Sequence, residues 1–184
     1  MKLSTREMVI ISLFTALTAI GASLSIPLGE VPITLQSLFV LLSGLLLGPK
    51  LGSLSQLVYV FLGLAGVRIF AGFSGGPQTI LSPSFGFLIG FIFAAFIVGK
   101  ISHNGEALSL KRVFLASLAG TFTIYLFGVP YMYLILNMVI GKPISFSTVL
   151  KTGCLVFLPG DMLKAILSSL TAERILKRVN LAKE

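Results

Sequence analysis

Long apolar runs broken by short polar stretches set the rhythm of this chain. After Lys2, Arg6 and Glu7, the run from Met8 to Gly29 carries no charge. It predicts a first helix over about Thr5–Ser25, ended by Ile26-Pro27-Leu28-Gly29-Glu30-Val31-Pro32, a turn with two prolines and a glycine. A basic start before an apolar run also opens a secretion signal. This run is longer than the ~7–15 apolar residues of such a signal, and the rest of the chain is just as apolar. A second helix is predicted over Ile33–Leu47 and a third over Gly52–Leu64, joined by the tight turn Gly48-Pro49-Lys50. Both are short for a membrane crossing, so each needs tilted neighbours or a locally thin bilayer.

Ala65 to Ser84 is a long connection rich in glycine, with Gly66, Gly72, Gly75, Gly76, Pro77 and Pro83. Loops of this length in a compact protein are usually lids or binding loops; Ser74, Gly75 and Ser82 are its candidate ligand contacts. A fourth helix is predicted over Phe85–Lys100, capped by Ser84. Lys100 to Arg112 is polar and basic, with the turn pair Asn104-Gly105 and a solvated His103. The fifth helix starts near Lys111. Its charge-free run, Val113–Gly141, exceeds one crossing, and Gly128-Val129-Pro130 is expected to kink or interrupt it, because proline removes a backbone hydrogen bond. Gly141-Lys142-Pro143 ends it. The sixth helix begins near Ser147, is disturbed at Pro159-Gly160 and reaches about Lys177. The pattern therefore predicts an all-α integral membrane protein: six transmembrane helices in a single membrane domain over residues 1–184.

Composition supports this. Of 184 residues, 55% are hydrophobic and 11% charged, and the mean hydropathy is +1.02. A soluble domain averages about 45–50% apolar and about 25% charged, so there is too little charge here to cover a water-exposed surface. The net charge of +8 does not indicate a nucleic-acid partner, because the basic residues sit at the ends of apolar runs. Six helices place both termini on one side. With the N-terminus inside, Lys2, Arg6, Lys50, Lys100, Lys111, Arg112, Arg174, Lys177, Arg178 and Lys183 are internal. Arg68, Lys142, Lys151 and Lys164 are external or in the membrane. Ten of fourteen basic residues on one side is the inside-positive bias of membrane proteins. Both termini are thus predicted cytoplasmic, with the glycine-rich loop outside. One cysteine, Cys154, rules out an internal disulfide and reads as packing.

The one carboxylate–ammonium pair inside an apolar segment is Asp161 with Lys164. Ionised groups at membrane depth are costly and mark functional sites by default. Three residues apart, the two share a helix face. Lys151 to Glu173 is about 33 Å of helix at ~1.5 Å per residue, which puts Asp161 near its middle. Alternatives are that the charges merely neutralise each other, or that Lys164 snorkels to the interface. A carboxylate takes N–H donors and an ammonium takes an anion, so the pair suits a ligand carrying N–H groups at one place and a carboxylate at another. Thr34 and Gln36, at the outer mouth of the second helix, share a direction if the backbone there is extended; capping is the competing role for Thr34. Among the tyrosines, Tyr131 and Tyr133 fit an interface belt, while Tyr125 lies deeper and is a cavity candidate. In the first helix, Thr15, Ala19 and Ser23 recur every four residues, widened by Ala16 and Ala22. Such a smooth face serves internal packing or docking of another membrane protein.

No catalytic constellation is present: there is no P-loop lysine motif, no His-Glu-x-x-His and no Gly-x-Ser-x-Gly. A small membrane protein with one polar site and no energy-coupling machinery reads as a binding subunit rather than an enzyme.

Several ordered motifs carry a resemblance over nearly the whole chain. They are Val31-Pro32-Ile33-Thr34-Leu35-Gln36, Leu47-Gly48-Pro49-Lys50-Leu51-Gly52, Val58-Tyr59-Val60-Phe61-Leu62-Gly63-Leu64, Phe70-Ala71-Gly72 with Gly75-Gly76, Ser82-Pro83-Ser84-Phe85-Gly86-Phe87 and Phe157-Leu158-Pro159-Gly160-Asp161-Met162-Leu163-Lys164. Together they resemble the BioY family, biotin-specific substrate-binding (S) components of energy-coupling factor (ECF) transporters. The resemblance implies a six-helix S-component fold in a bacterial or archaeal cell membrane, with an outward-facing biotin pocket under the first and third external loops. It implies an EcfT-type membrane partner and a pair of cytoplasmic ABC ATPases, so that ATP is used only by partners and biotin is a ligand, not a cofactor. Asp161 and Lys164 match the family's signature aspartate and lysine, and the first-helix face resembles the surface on which S components dock. Two stretches depart from the family pattern: Arg68 stands where proline is common, and Ser82–Gly86 replaces a more glycine-rich run. An S component for another vitamin, or a membrane enzyme with a buried Asp/Lys site, are the competing readings.

Overall fold

Among the described residues, five helices are long and apolar enough to cross a membrane, in a computed structural model that describes residues 3–104 and 109–178. In chain order the elements are α1 (Thr5–Ser23), the short strands β1 (Ser25–Ile26) and β2 (Ile33–Thr34), α2 (Gln36–Leu64), α3 (Phe85–Ser102), α4 (Leu110–Leu134), α5 (Phe146–Leu150) and α6 (Leu158–Arg178). Two 3₁₀ turns, Ala71–Phe73 and Pro77–Leu81, punctuate the glycine-rich loop. Of the residues counted in the charge bias, Lys2 and Lys183 lie outside the described residues, as do Gly105 of the predicted turn and the 179–184 tail.

The predicted six helices become five because Ile33–Leu47 and Gly52–Leu64 form one element, α2, folded back at Gly48. That glycine has φ 78° and ψ −177° inside the helix, a conformation that a Cβ disfavours, and Pro49 follows it with a fixed φ that restarts the helix. The two legs, 36–47 and 49–64, lie side by side. Gln36 reaches Tyr59, Gln56 reaches Ser43 at 3.2 Å, and a Cβ on Gly52 would sit 2.8 Å from the Ser43 carbonyl.

Other boundaries moved for local reasons. Ser4 and Glu7 form a capping box, each satisfying the other's backbone N–H, so α1 starts at Thr5. It stops at Ser23, because Ser25–Ile26 pairs antiparallel with Ile33–Thr34. That β-hairpin displaces the predicted start of the second helix from Ile33 to Gln36. Of the kink or interruption expected at Gly128–Pro130, the interruption does not occur. α4 runs through Pro130, held where a Cβ on Gly128 would be 2.3 Å from the Phe87 ring, and only beyond Leu134 does it widen into a π turn, Ile135–Val139. The disturbance placed at Pro159–Gly160 lies upstream instead, in the π turn Lys151–Leu155 and the bend at Val156–Phe157. Pro159 and Gly160 sit in the first turn of α6, where a missing N–H is harmless.

α3 packs between α2 and α4, α1 covers α2, and α6 closes against α2 and α4. Two apolar cores result. One joins Phe14, Leu41, Leu45, Val98, Val113 and Ala172 at the end that carries Lys50, Lys100 and Arg112. The other joins Val31, Tyr59, Phe70, Phe87, Phe91, Ile124 and Phe157 and surrounds the polar site.

Candidate functional site

α6 delivers the charged pair. Asp161 is in its first turn and Lys164 one turn on, 9% and 8% exposed. Lys164 Nζ donates to Asp161 Oδ1 at 2.8 Å. Burial of both rules out a snorkelling lysine. The start of α2 supplies Ser37, whose hydroxyl donates to Asp161 Oδ1 at 3.2 Å and accepts from Lys164 at 3.0 Å. From α4, the Tyr125 hydroxyl donates to Asp161 Oδ2. Three distant stretches of chain thus meet at one carboxylate.

Counting donors and acceptors shows what the cluster has left to offer. A carboxylate has about four lone-pair positions, and an ammonium three N–H groups. Asp161 uses three positions and Lys164 two N–H groups in these contacts. Roughly one acceptor position and one donor remain for a ligand. Among the described residues, every buried side-chain nitrogen and oxygen has a partner, so the pair is neutralised within the protein, and a ligand adds to the cluster or replaces part of it.

A cavity opens above these groups. Its volume is about 90 Å³, against roughly 10–15 Å³ for one water, so several heavy atoms fit. Phe85, Phe87, Leu88, Phe91, Ile124 and Phe157 form an apolar wall. Thr34, Gln36, Ser74, Thr79, Ser82 and Ser84 add hydroxyls and one amide to the lining. An apolar cavity with a few placed polar groups fixes the orientation of its ligand.

Most of the sequence-predicted residues meet here: Asp161, Lys164, Thr34, Gln36, Tyr125, Ser74 and Ser82 line this one cavity. The extended backbone needed for Thr34 is the strand β2. Its hydroxyl donates to Gln36 Oε1 at 3.0 Å and accepts the Gln36 backbone N–H at 3.3 Å. Gly75 is not in the lining. Its carbonyl takes the Gln78 amide at 2.6 Å, and a Cβ there would be 2.4 Å from the Val67 carbonyl, so it shapes the loop. Ser84, predicted as a cap, makes no capping bond and instead shares a hydrogen bond with Ser82 at 2.9 Å. Asn137 bridges Tyr133 and Ile144 backbone groups and is structural. His103, in its predicted loop, is exposed and bonds Ser102.

Sequence reasoning missed Ser37, Thr79 and the phenylalanine wall. Ser37 had one signal: it follows Gln36 directly in the polar cluster at the mouth of α2. Nothing in the sequence shows that this turn crosses α6 at Asp161 and Lys164.

The predicted docking face divides. Thr15 and Ala22 are buried, with the Thr15 hydroxyl on the Ser55 carbonyl at 2.9 Å, and Ala19 is packed against the core. Only Ala16 and Ser23 are exposed. Small residues at this spacing let two backbones approach, and here α1 uses most of them on α2: a Cβ on Gly21 would be 2.9 Å from the Leu35 backbone. Of the five, Thr15 and Ala22 face inward and Ala16 and Ser23 outward.

Comparison with known proteins places this geometry. The model of the "BioY family" matches residues 1–181. A probable biotin transporter BioY of Lysinibacillus sphaericus is 42% identical over 174 residues, covering 95% of this chain and 88% of the relative. The biotin transporter BioY of Thermotoga maritima is 38% identical over 173 residues, covering 94% and 96%. Among solved structures, the S-component for biotin from an ECF-type ABC transporter superposes with a TM-score of 0.74 at 28% identity, covering 97% of this chain and 96% of that one. With residues 1–181 matched and an S-component fold around a buried Asp161–Lys164 cluster, the chain belongs to the BioY family.

Proposed function

We propose that this chain is the biotin-capturing S component of an ECF-type ABC transporter, a single multi-pass membrane domain that takes biotin from outside the cell. The observation that carries this is one cavity lined both by the carboxylate–ammonium cluster and by an apolar wall of phenylalanines. The relatives named as biotin transporters and the matched S component for biotin supply the ligand. Biotin has the complementary chemistry. Its ureido ring offers N–H groups for Asp161 and its carboxylate is an anion for Lys164; because these two side chains touch each other, one end of the molecule seats at the pair while its ring system and chain suit the phenylalanines.

Counting the two legs of α2 separately, the chain crosses the membrane six times, with both termini cytoplasmic. Arg6, Lys50, Lys100, Lys111, Arg112, Arg174, Lys177 and Arg178 then share the cytoplasmic end, in keeping with the inside-positive bias, and the cavity mouth faces out. An EcfT-type membrane protein and a pair of ABC ATPases energise transport, since the chain has no nucleotide motif of its own.

The test is biotin binding to the purified protein in lipid nanodiscs, in competition with riboflavin and thiamine. Tight binding displaced only by unlabelled biotin supports the reading. Displacement by either of the other vitamins transfers the site to that ligand.

A further inference from the structure

Behind the cavity, and outside its lining, Tyr59 occupies a position that decides how one pocket wall presents its polar groups. It is fully buried, 0% exposed, on the second leg of α2. Its hydroxyl lies 2.9 Å from the Ile69 carbonyl and 2.7 Å from Gln36 Nε2.

The chemistry of these two contacts permits one arrangement. A carbonyl only accepts, so the single Tyr59 O–H proton goes to Ile69. The phenolic oxygen then accepts, and its other neighbour must donate. That neighbour is the Gln36 side-chain amide, so its NH₂ faces Tyr59 and its oxygen is turned to Thr34. The Thr34 end agrees independently: Thr34 already accepts the Gln36 backbone N–H, so its own proton is free for Gln36 Oε1. Both ends of the amide are thereby assigned from the network, where an amide alone leaves the choice open.

The same hydroxyl ties a second wall. Ile69 precedes Phe70 and Ser74, which pair through the Phe70 N–H and the Ser74 carbonyl at 3.0 Å and both line the cavity. The Phe70 ring meets Tyr59 edge-on, with centroids 5.4 Å apart. It sits where a Cβ on Gly63 would be 2.1 Å away, so the loop is seated closely on this leg of α2.

We infer that Tyr59 is a positioning residue for ligand recognition: it fixes the Gln36 amide with its oxygen on the Thr34 side and clamps the Ile69–Ser74 loop to the same point. The inference rests on the proposed biotin function and names a residue that does not touch the ligand.

Tyr59→Phe removes one oxygen and keeps the ring against Phe70. Biotin titrations in nanodiscs compare the wild type, Tyr59→Phe, Gln36→Leu and the double variant. Expected is a loss of about five- to 150-fold in affinity for Tyr59→Phe, the range for one unsatisfied buried hydrogen-bonding group. In the Gln36→Leu background, the same change is expected to add less than about twofold, since the amide it orients is gone. Gln36→Glu keeps shape and an acceptor but offers no N–H to Tyr59. It should lose affinity to a similar extent, and it keeps the test alive if Tyr59→Phe does not fold. Wild-type affinity in Tyr59→Phe overturns the inference, as does an undiminished effect in the Gln36→Leu background or wild-type affinity in Gln36→Glu. If the wild type itself fails to bind biotin, the proposed function falls and takes this inference with it. Wild-type binding without the coupling condemns the inference alone.

Discussion

Replacing Lys164 with methionine tests the centre of the site, because it removes the charge while an unbranched side chain of similar length fills the space. In the structure Lys164 gives one N–H to Asp161 at 2.8 Å and one to Ser37 at 3.0 Å. Breaking a buried ion pair from one side costs about 3–5 kcal/mol, because the remaining charge is left uncompensated. Here Asp161 retains Ser37 and Tyr125 as donors, which puts the cost near the low end, about 3 kcal/mol. For a chain of this size that corresponds to a fall in melting temperature of roughly 6–12 °C without ligand. Binding adds a separate loss if Lys164 holds the biotin carboxylate: a hydrogen bond to a charged group contributes about 1.5–3 kcal/mol, or roughly 10- to 150-fold in Kd. Calorimetric titration in nanodiscs with biotin and with an amide-tailed analogue reads that part directly. The wild type should prefer the free carboxylate and Lys164→Met should lose the preference. A variant that binds weakly yet still prefers the free carboxylate would refute the assignment of Lys164 to that end of the ligand.

Other substitutions follow from the same contacts. Asp161→Asn leaves the Lys164 ammonium buried without its counter-charge, so it should destabilise the protein more than Lys164→Met does, and the double variant should recover part of the loss; thermal unfolding of the three reads this order. Ser37→Ala, at a residue that touches both charges, should weaken biotin binding by about tenfold, from one lost charge-assisted hydrogen bond; an unchanged Kd would show that Ser37 is only a spacer. Gly48→Ala forces a Cβ into φ 78°, ψ −177° at a cost of about 1–3 kcal/mol and should lower the melting temperature while leaving Kd within about twofold. Ala19→Leu, on the packed side of α1, should lower stability, whereas Ala16→Leu on its exposed side should not; equal melting temperatures for the two would contradict the observed rotation of α1.

Much of this protein could be read along one dimension. The shortage of charge and the spacing of apolar runs required membrane helices, because backbone polar groups in lipid must be satisfied within the segment. Asp161 and Lys164 stood out because an ionised pair in such a run needs a reason. Gly48-Pro49 announced a tight turn. These signals are local: each is fixed by the properties of a residue and its neighbours within a turn or two.

What needed the fold was everything that depends on which faces meet. Whether Thr15 and Ala22 look outward or into α2 depends on the rotation of α1, and a stripe of small residues serves either orientation. Pro130 was expected to kink or interrupt α4; the segment stays helical through it, with Gly128 packed on Phe87. Ser37 is an ordinary serine until α2 and α6 cross, when it bonds both charges. The Gln36 amide has no preferred face of its own until Tyr59 and Thr34 dictate it. The sequence by itself determined that this chain lives in a membrane and keeps one ion pair there, since the cost of burying charge and backbone is paid locally. Only the tertiary structure decided which hydroxyls, amide and phenylalanines surround that pair, since those contacts join residues as far apart as Ser37 and Lys164 and depend on how the helices are turned against one another.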